Sequence, residues 1–179
     1  VESPSRNVKF DVADVLELAN NNAVENEYNL VFTDRLLINL NSWKIQQQGL
    51  KQLLSRVKKG GYLLIIENFI RAYGNQNYLR ELIGLQARTP DPYNKFIDEA
   101  KLESFACDEL NLKLLQVENF GSMHDLILYV LLPHINSGEI IYNHPLMESV
   151  TSFLEKLPEE FVNGFGNFGQ NKLYLFEKS

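Results

Sequence analysis

The sequence has a single cysteine, no long apolar run and no signal-peptide pattern at its start. Because Cys107 is the single cysteine, no disulfide can form within the chain, and a reducing compartment is indicated. A membrane-spanning helix needs about 20 consecutive apolar residues, and no segment approaches that length. We therefore expect a cytoplasmic protein without a membrane partner.

Positive charge is also scarce. Lysine and arginine number 17 against 23 acidic residues, which gives a net charge of -6 at pH 7. A phosphate backbone is held by positive surface, so nucleic acid is disfavoured as a partner despite the local group Arg56, Lys58 and Lys59. The chain is 179 residues long and 45% hydrophobic, which is enough for the core of one domain.

The chain has three histidines, and their positions do not suggest a metal site. His134 and His144 adjoin prolines, and with His124 they lack the spacing of metal ligands. We predict no metal.

Residues 28–68 carry the clearest structural pattern, which is strand, helix and strand. Leu30 to Phe32 form a short apolar run typical of a strand buried on both faces. Leu50, Leu53, Leu54 and Val57 follow at helical spacing, and the helix is predicted to end at Gly60. Leu63 to Ile66 supply a second buried strand. Two such strands joined by a helix form a right-handed, parallel βαβ unit, so the sequence predicts an α/β fold.

The segments YNLVFTDRLLINL and SRVKKGGYLLII, followed by Glu67, resemble the class I S-adenosylmethionine-dependent methyltransferases. That family has a "YDLV" strand beside the methyl-donor pocket and a "KPGG" turn into a strand ending in an acid. Asn29 and Lys59 replace the usual Asp and Pro. The resemblance implies a Rossmann-like, mostly parallel sheet with an antiparallel C-terminal strand, and S-adenosyl-L-methionine as cofactor. Periodicity alone would fit any βαβ unit of a doubly wound sheet.

The resemblance extends to FDVADVLEL near the start of the chain. Val8, Phe10 and Val12 alternate as a strand, and the family places an adenine-binding carboxylate and backbone N–H directly after it. Asp14 and Val15 would take these two roles, although Asp14 could instead be an ordinary surface residue. The family's N-terminal strands and glycine-rich donor loop have no counterpart here. We therefore expect one partial domain over residues 1–179.

Polar residues follow both strands of the βαβ unit, where open α/β sheets bind ligands. Thr33, Asp34 and Arg35 are predicted to bind the donor, with Arg35 pairing either the donor's carboxylate or Glu67. An arginine in solvent is the alternative. Glu67 is a candidate catalytic base, and the alternative is a carboxylate already satisfied at the strand end.

Residues 69–98 are predicted to be an insertion on the acceptor side. Asn77, Arg80, Gly84, Leu85 and Asn94 match an N-x-x-R-x-x-x-G-L pattern of bacterial small-molecule or sugar methyltransferases. The residues predicted to bind the acceptor are Asn68, Arg80, Asn94 and Tyr142.

The C-terminal half is predicted to contain a helix over 98–110, strands over 112–120 and 126–132, a helix over 149–157 and a final strand over 173–176. Gly164, Gly166 and Gly169 spell G-x-G-x-x-G, but a helix precedes them and a strand follows. That order is the reverse of a dinucleotide site, so a glycine-rich connection is predicted.

His124 is the other candidate catalytic base, because its ordinary pKa is about 6.5. A histidine that is simply hydrogen-bonded at a strand start is the alternative. Asp125 would not share its face on a strand, so adjacency does not imply a pair.

We therefore expect methyl transfer to oxygen or nitrogen of a small polar acceptor, such as a sugar, with a homodimer left open. The alternatives are a non-catalytic Rossmann-like binding or dimerisation module and, with less support, a nucleotide-using oxidoreductase.

Overall fold

The computed structural model describes residues 10–20, 27–119, 121–162 and 165–179. Four strands form one mixed sheet in the order β1-β2-β4-β3. The strands are β1 (Tyr28–Asp34), β2 (Val57–Asn68), β3 (Leu112–Glu118) and β4 (Asn171–Lys178). β1 and β2 are parallel, and β4 runs antiparallel between β2 and β3. Three strands thus share one direction and the last opposes them, which confirms the predicted sheet.

Helices connect the strands, and residues of α1 and α3 pack with the sheet in the main core. They are α1 (Trp43–Ser55), α2 (Ile70–Leu82), α3 (Glu99–Ser104), α4 (Ser122–Leu126), α5 (Leu132–Ile135), α6 (Pro145–Leu154) and α7 (Glu159–Val162). Short 3-10 helices span Val15–Asn20 and Leu37–Asn39, and π-helical turns span Phe105–Glu109 and Ile127–Leu131. Within the described ranges, no helix is long and apolar enough to cross a bilayer.

The predicted βαβ unit is present. The Ser42 hydroxyl caps α1 by accepting the N–H of Ile45, and Leu50 and Leu53 then face the core. Leu63 and Ile65 of β2 complete this core beneath the helix. The apolar residues that alternate along β2 therefore pack against those that recur about every 3.6 residues along α1, and together they form one apolar layer.

Two details of this unit differ from the prediction. The helix ends at Ser55, and Gly60, with φ of 72°, lies instead in a bulge within β2. β1 is buried on one face only, because Phe32 is 65% exposed while Thr33 on the opposite face is 2% exposed. Among the described residues β1 pairs only with β2.

The strand predicted to end at Val12 is not formed in its described part, and Val8 lies outside the described residues. Phe10 and Val12 are 91% and 99% exposed and carry no strand ladder. The chain becomes regular only at Val15, where the Asp14 carboxylate accepts the N–H of Leu16 and a 3-10 helix begins. A strand needs a neighbour to satisfy its backbone groups, and this segment has none in the described structure.

The predicted strand over 126–132 is wrong, because residues 122–135 are helical. Its continuous apolar run fits a buried helix as well as a strand. In a regular α-helix the carbonyl of Tyr129 would accept from residue 133, but Pro133 has no N–H. The guanidinium of Arg80 donates to that carbonyl instead, so the arginine compensates for the proline.

The other C-terminal elements agree with the prediction within a few residues. β3 and β4 occupy the predicted strand positions, although Phe120 lies outside the described residues. The predicted helices correspond to α3 with its π-helical turn and to α6, which ends at Leu154. Of the glycine-rich connection, Gly166 and Gly169 are described and Gly164 is not. Gly169 packs against the start of α4.

Gly169 tests this packing. A Cβ there would lie 2.2 Å from Asn119 Oδ1 and 2.8 Å from the backbone of Gly121 and Ser122. We expect Gly169→Ala to lower the free energy of unfolding by about 1–3 kcal/mol in urea titration. Gly74→Ala is the matched control, since nothing lies within 4 Å of its added Cβ. This change within α2 should raise stability by about 0.5–1 kcal/mol. Equal effects of the two substitutions would contradict the packing described here.

Candidate functional site

The candidate site is a cleft at the carboxyl ends of β1 and β2. Arg35 follows β1, Asn68 ends β2, and Asn68 lies opposite Asn171 at the start of β4. Two cavities of about 550 and 490 Å³ open here. Arg35, Tyr129 and Gln170 line both, so the two cavities adjoin and are named here the polar cavity and the histidine cavity.

The polar cavity is the larger of the two. It contains three of the four residues predicted to bind the acceptor, namely Asn68, Asn94 and Tyr142. Its further lining residues are Arg35, Tyr73, Gln86, Ala87, Arg88, Thr89, Pro90, Asp91, Phe96, Tyr129, Ile140 and Gln170. The side-chain oxygens Asn68 Oδ1 and Gln170 Oε1 are buried and accept no hydrogen bond from the described residues.

Arg80, the fourth predicted acceptor-binding residue, lines neither cavity. It is buried, and its Nε–H donates to the carbonyl of Gln86 at 2.8 Å while Nη1 donates to that of Tyr129. Burial, and then the nearby charge of Arg88, lower the pKa of Arg80. Arg80 thus holds the cavity wall in place, and its contact with the acceptor stays a prediction.

The histidine cavity contains His124, which lies on α4 beside Asp125. Nδ1 of His124 is 3.2 Å from Oδ1 of Asp125. The other carboxylate oxygen, Oδ2, accepts the backbone N–H of Gln170 at 2.9 Å. On a strand, adjacency would not have implied a pair, whereas on the helix these two neighbours do pair. With Nδ1 engaged by the carboxylate, Nε2 is the ring nitrogen left for a proton transfer.

Glu67, the other candidate base, is completely buried. Its Oε1 accepts the N–H groups of Leu36 and Leu37 at 3.0 and 2.9 Å, and its Oε2 accepts that of Ile38 at 3.2 Å. Burial raises the pKa of Glu67, and the hydrogen bonds to its carboxylate partly oppose the rise. The geometry favours the satisfied strand-end carboxylate, which is held by backbone amides and not by Arg35.

The five residues predicted to bind the donor are not all at the cleft. Arg35 lines both cavities, and the adjacent Asp34 is exposed at the end of β1. Thr33 is buried and lines neither cavity. Asp14 and Val15 line neither cavity, and Val15 packs against the main core.

Sequence reasoning did not identify most of the other cleft residues, among them Tyr73, Arg88, Tyr129 and Gln170. Arg88 and Tyr73 lie inside the predicted acceptor-side insertion, so the prediction of that insertion was the one sequence feature that pointed to them. Tyr129 was hidden by the incorrect strand prediction. Burial raises the pKa of Tyr129 to about 12, with a further rise from the charge of Asp125, so its phenol stays protonated at neutral pH.

Comparison with known proteins gives structural likeness alone. No protein-family model matches the sequence, and no curated protein does. The structure is similar to that of a SAM-dependent methyltransferase from Archaeoglobus fulgidus, at 16% identity and a TM-score of 0.51. It is also similar to a proposed sarcosine dimethylglycine methyltransferase from Galdieria sulphuraria, at 14% identity and a TM-score of 0.51.

These likenesses cover 93% and 98% of this chain. The chain shares the Rossmann-like α/β fold of these two structures. It spans 66% and 61% of the length of the two similar chains. At such low identity the likeness concerns the fold, and the activity has to be argued from the residues of the cleft.

The structural role of the Glu67 carboxylate can be tested by measuring the stability of a substituted protein. We expect Glu67→Ala to cost about 3 kcal/mol of unfolding free energy, because three N–H groups lose their acceptor. Glu81→Ala on the exposed surface of α2 is the control and should change stability by less than about 0.5 kcal/mol. Chemical denaturation measures both. Unchanged stability of Glu67→Ala would return this residue to the list of candidate bases.

Proposed function

We propose that the protein transfers a methyl group from S-adenosylmethionine to an oxygen or nitrogen atom of a small polar acceptor. The observation that carries this proposal is the position of the cleft. It opens at the carboxyl ends of two parallel strands, in a sheet with the methyltransferase order of strands. A candidate base and the polar side chains of Asn68 and Gln170 line that cleft.

The residues present fit the donor at one point. The donor carries a carboxylate, and Arg35 presents a guanidinium at the junction of the two cavities. Arg35 would hold that carboxylate, with Asp34 beside it at the strand end. When bound, S-adenosylmethionine supplies an electrophilic methyl group on a positively charged sulfur. The roles of Asp14 and Val15 toward adenine remain part of this proposal.

The acceptor would lie in the polar cavity, against the segment 69–98. The side-chain amides of Asn68 and Gln170, which line this cavity, would hydrogen-bond to its hydroxyl or amine and so orient its nucleophilic atom. Asn94 and Tyr142 also line this cavity and would contact the acceptor, for which a sugar is one candidate.

His124 would act as the base. Its pairing with Asp125 fixes the ring and favours the tautomer in which Nε2 is free to accept a proton. Because the two cavities adjoin, a proton leaving an acceptor in the polar cavity can reach the histidine cavity. Glu67 is not used in this scheme, since its carboxylate has no open side.

Substitution of His124 tests the chemistry. We expect His124→Ala to lower the turnover of a hydroxyl acceptor by about 10²–10⁴-fold, while the affinity for the donor changes little. Transfer of a labelled methyl group to a panel of small polar acceptors measures the first quantity, and calorimetric titration measures the second.

His134→Ala is the matched control, because His134 is exposed on α5 and lines neither cavity. It should leave turnover unchanged. Equal turnover of His124→Ala and the wild type would remove the histidine from the mechanism. Donor binding without transfer to any acceptor would favour a binding module.

A further inference from the structure

Arg88 is unusual among the residues of the polar cavity. Neighbouring side chains fix the position of its guanidinium, but none of the described carboxylates forms a salt bridge with it. The guanidinium carbon lies 3.6 Å from the ring centre of Tyr129 and 5.0 Å from that of Tyr73. Nη1 donates to Oε1 of the buried Gln76 at 2.6 Å. Among the described residues no carboxylate lies within salt-bridge distance of Arg88.

The backbone of Arg88 is equally well fixed. The side-chain amide of Asn77 accepts the N–H of Arg88 and donates to its carbonyl, each at 2.9 Å. Arg80 holds the preceding turn through the carbonyl of Gln86. Both Asn77 and Arg80 belong to α2. The helix therefore fixes the position of Arg88 before any ligand binds.

The charges around Arg88 leave this part of the cavity positive. Arg35 lines the same cavity, and Arg80 lies near enough for the charge of Arg88 to lower its pKa. Two acids oppose them. Asp91 accepts the phenol hydrogen of Tyr93, and Asp125 is paired with His124. The polar cavity itself is thus lined by two arginines, Arg35 and Arg88, and by one acid, Asp91, whose carboxylate already accepts from Tyr93.

We propose that Arg88 is a subsite for an oxyanion and that the methyl acceptor is a small molecule carrying a carboxylate or phosphate group. A guanidinium stacked on tyrosines keeps most of its N–H donors, and its planar fork matches the oxygens of either group. The acceptor's oxyanion would bind there while its hydroxyl or amine reaches Asn68 and Gln170.

Gln76 connects this subsite to the candidate base. Its Oε1 accepts from Arg88, and its Nε2 lies 3.5 Å from Oδ2 of Asp125, the partner of His124. An oxyanion at Arg88 is therefore anchored one side chain away from the pair that would receive the acceptor's proton. The identity of the acceptor rests on the proposed function, whereas the oxyanion subsite does not.

Ligand-observed NMR titration of the full chain tests the subsite, with propionate in one series and inorganic phosphate in another. We expect saturable binding of at least one anion, weakened about tenfold or more by Arg88→Gln. The anion that binds more tightly distinguishes carboxylate from phosphate. Arg71→Gln is the matched control, since this exposed arginine of α2 lines neither cavity and should keep wild-type affinity within about twofold.

Arg88→Lys guards against a folding defect, because it keeps the charge but loses the planar fork. It should fold as the wild type and still weaken the anion by several fold. The inference is overturned if neither anion saturates, if Arg88→Gln and Arg88→Lys bind as the wild type does, or if Arg71→Gln loses as much affinity.

Calorimetric titration with S-adenosylmethionine separates this inference from the proposed function. Arg88→Gln should bind the donor as the wild type does. If anions bind at Arg88 but the wild type binds no donor, the methyltransferase proposal fails and the oxyanion subsite stands. If the donor binds and no anion does, only the oxyanion subsite fails.

Discussion

The candidate site depends on the burial of one carboxylate. Glu67 ends the apolar part of β2, and its two oxygens accept three consecutive backbone N–H groups from the turn after β1. The backbone N–H of Arg35 also donates to the carbonyl of Ile66 at 2.8 Å. These bonds join the ends of the two parallel strands. A charged group in the core is costly unless it is hydrogen-bonded, and here the backbone supplies the bonds. The position of Arg35 beside Asn68 follows from this arrangement.

The far side of the cleft is built around a helix with an interrupted hydrogen-bond pattern. Pro133 removes the α-helical donor for the carbonyl of Tyr129, and Arg80 replaces it from α2. The same arginine holds the turn before Arg88. One buried guanidinium therefore fixes both Tyr129 and the loop that stacks Arg88 against it. The polar cavity owes its shape to side chains that do not themselves line it.

The sequence predicted the parts of this structure that depend on local periodicity. α1, β2, β3 and β4 follow from apolar spacing, and the resemblance of 28–68 to a known family predicted a mostly parallel sheet with an antiparallel last strand. The helical segment 122–135 was missed because a continuous apolar run has no period that separates a strand from a buried helix. The structural role of Glu67 could not be predicted either, because its hydrogen-bond partners are backbone groups about 30 residues earlier in the sequence. Arg88 could be placed in the insertion from sequence, but its stacking on Tyr129 depends on tertiary contacts.

The central claim is that the methyl donor binds where β1 and β2 end. Hydrogen–deuterium exchange of the full chain, with and without S-adenosylmethionine, tests that claim most directly. We expect slower exchange on donor binding in the turn 34–38 and around residues 68–70, while the outer strand β3 changes little. Donor-dependent protection confined to other segments, or no protection at saturating donor, would contradict it.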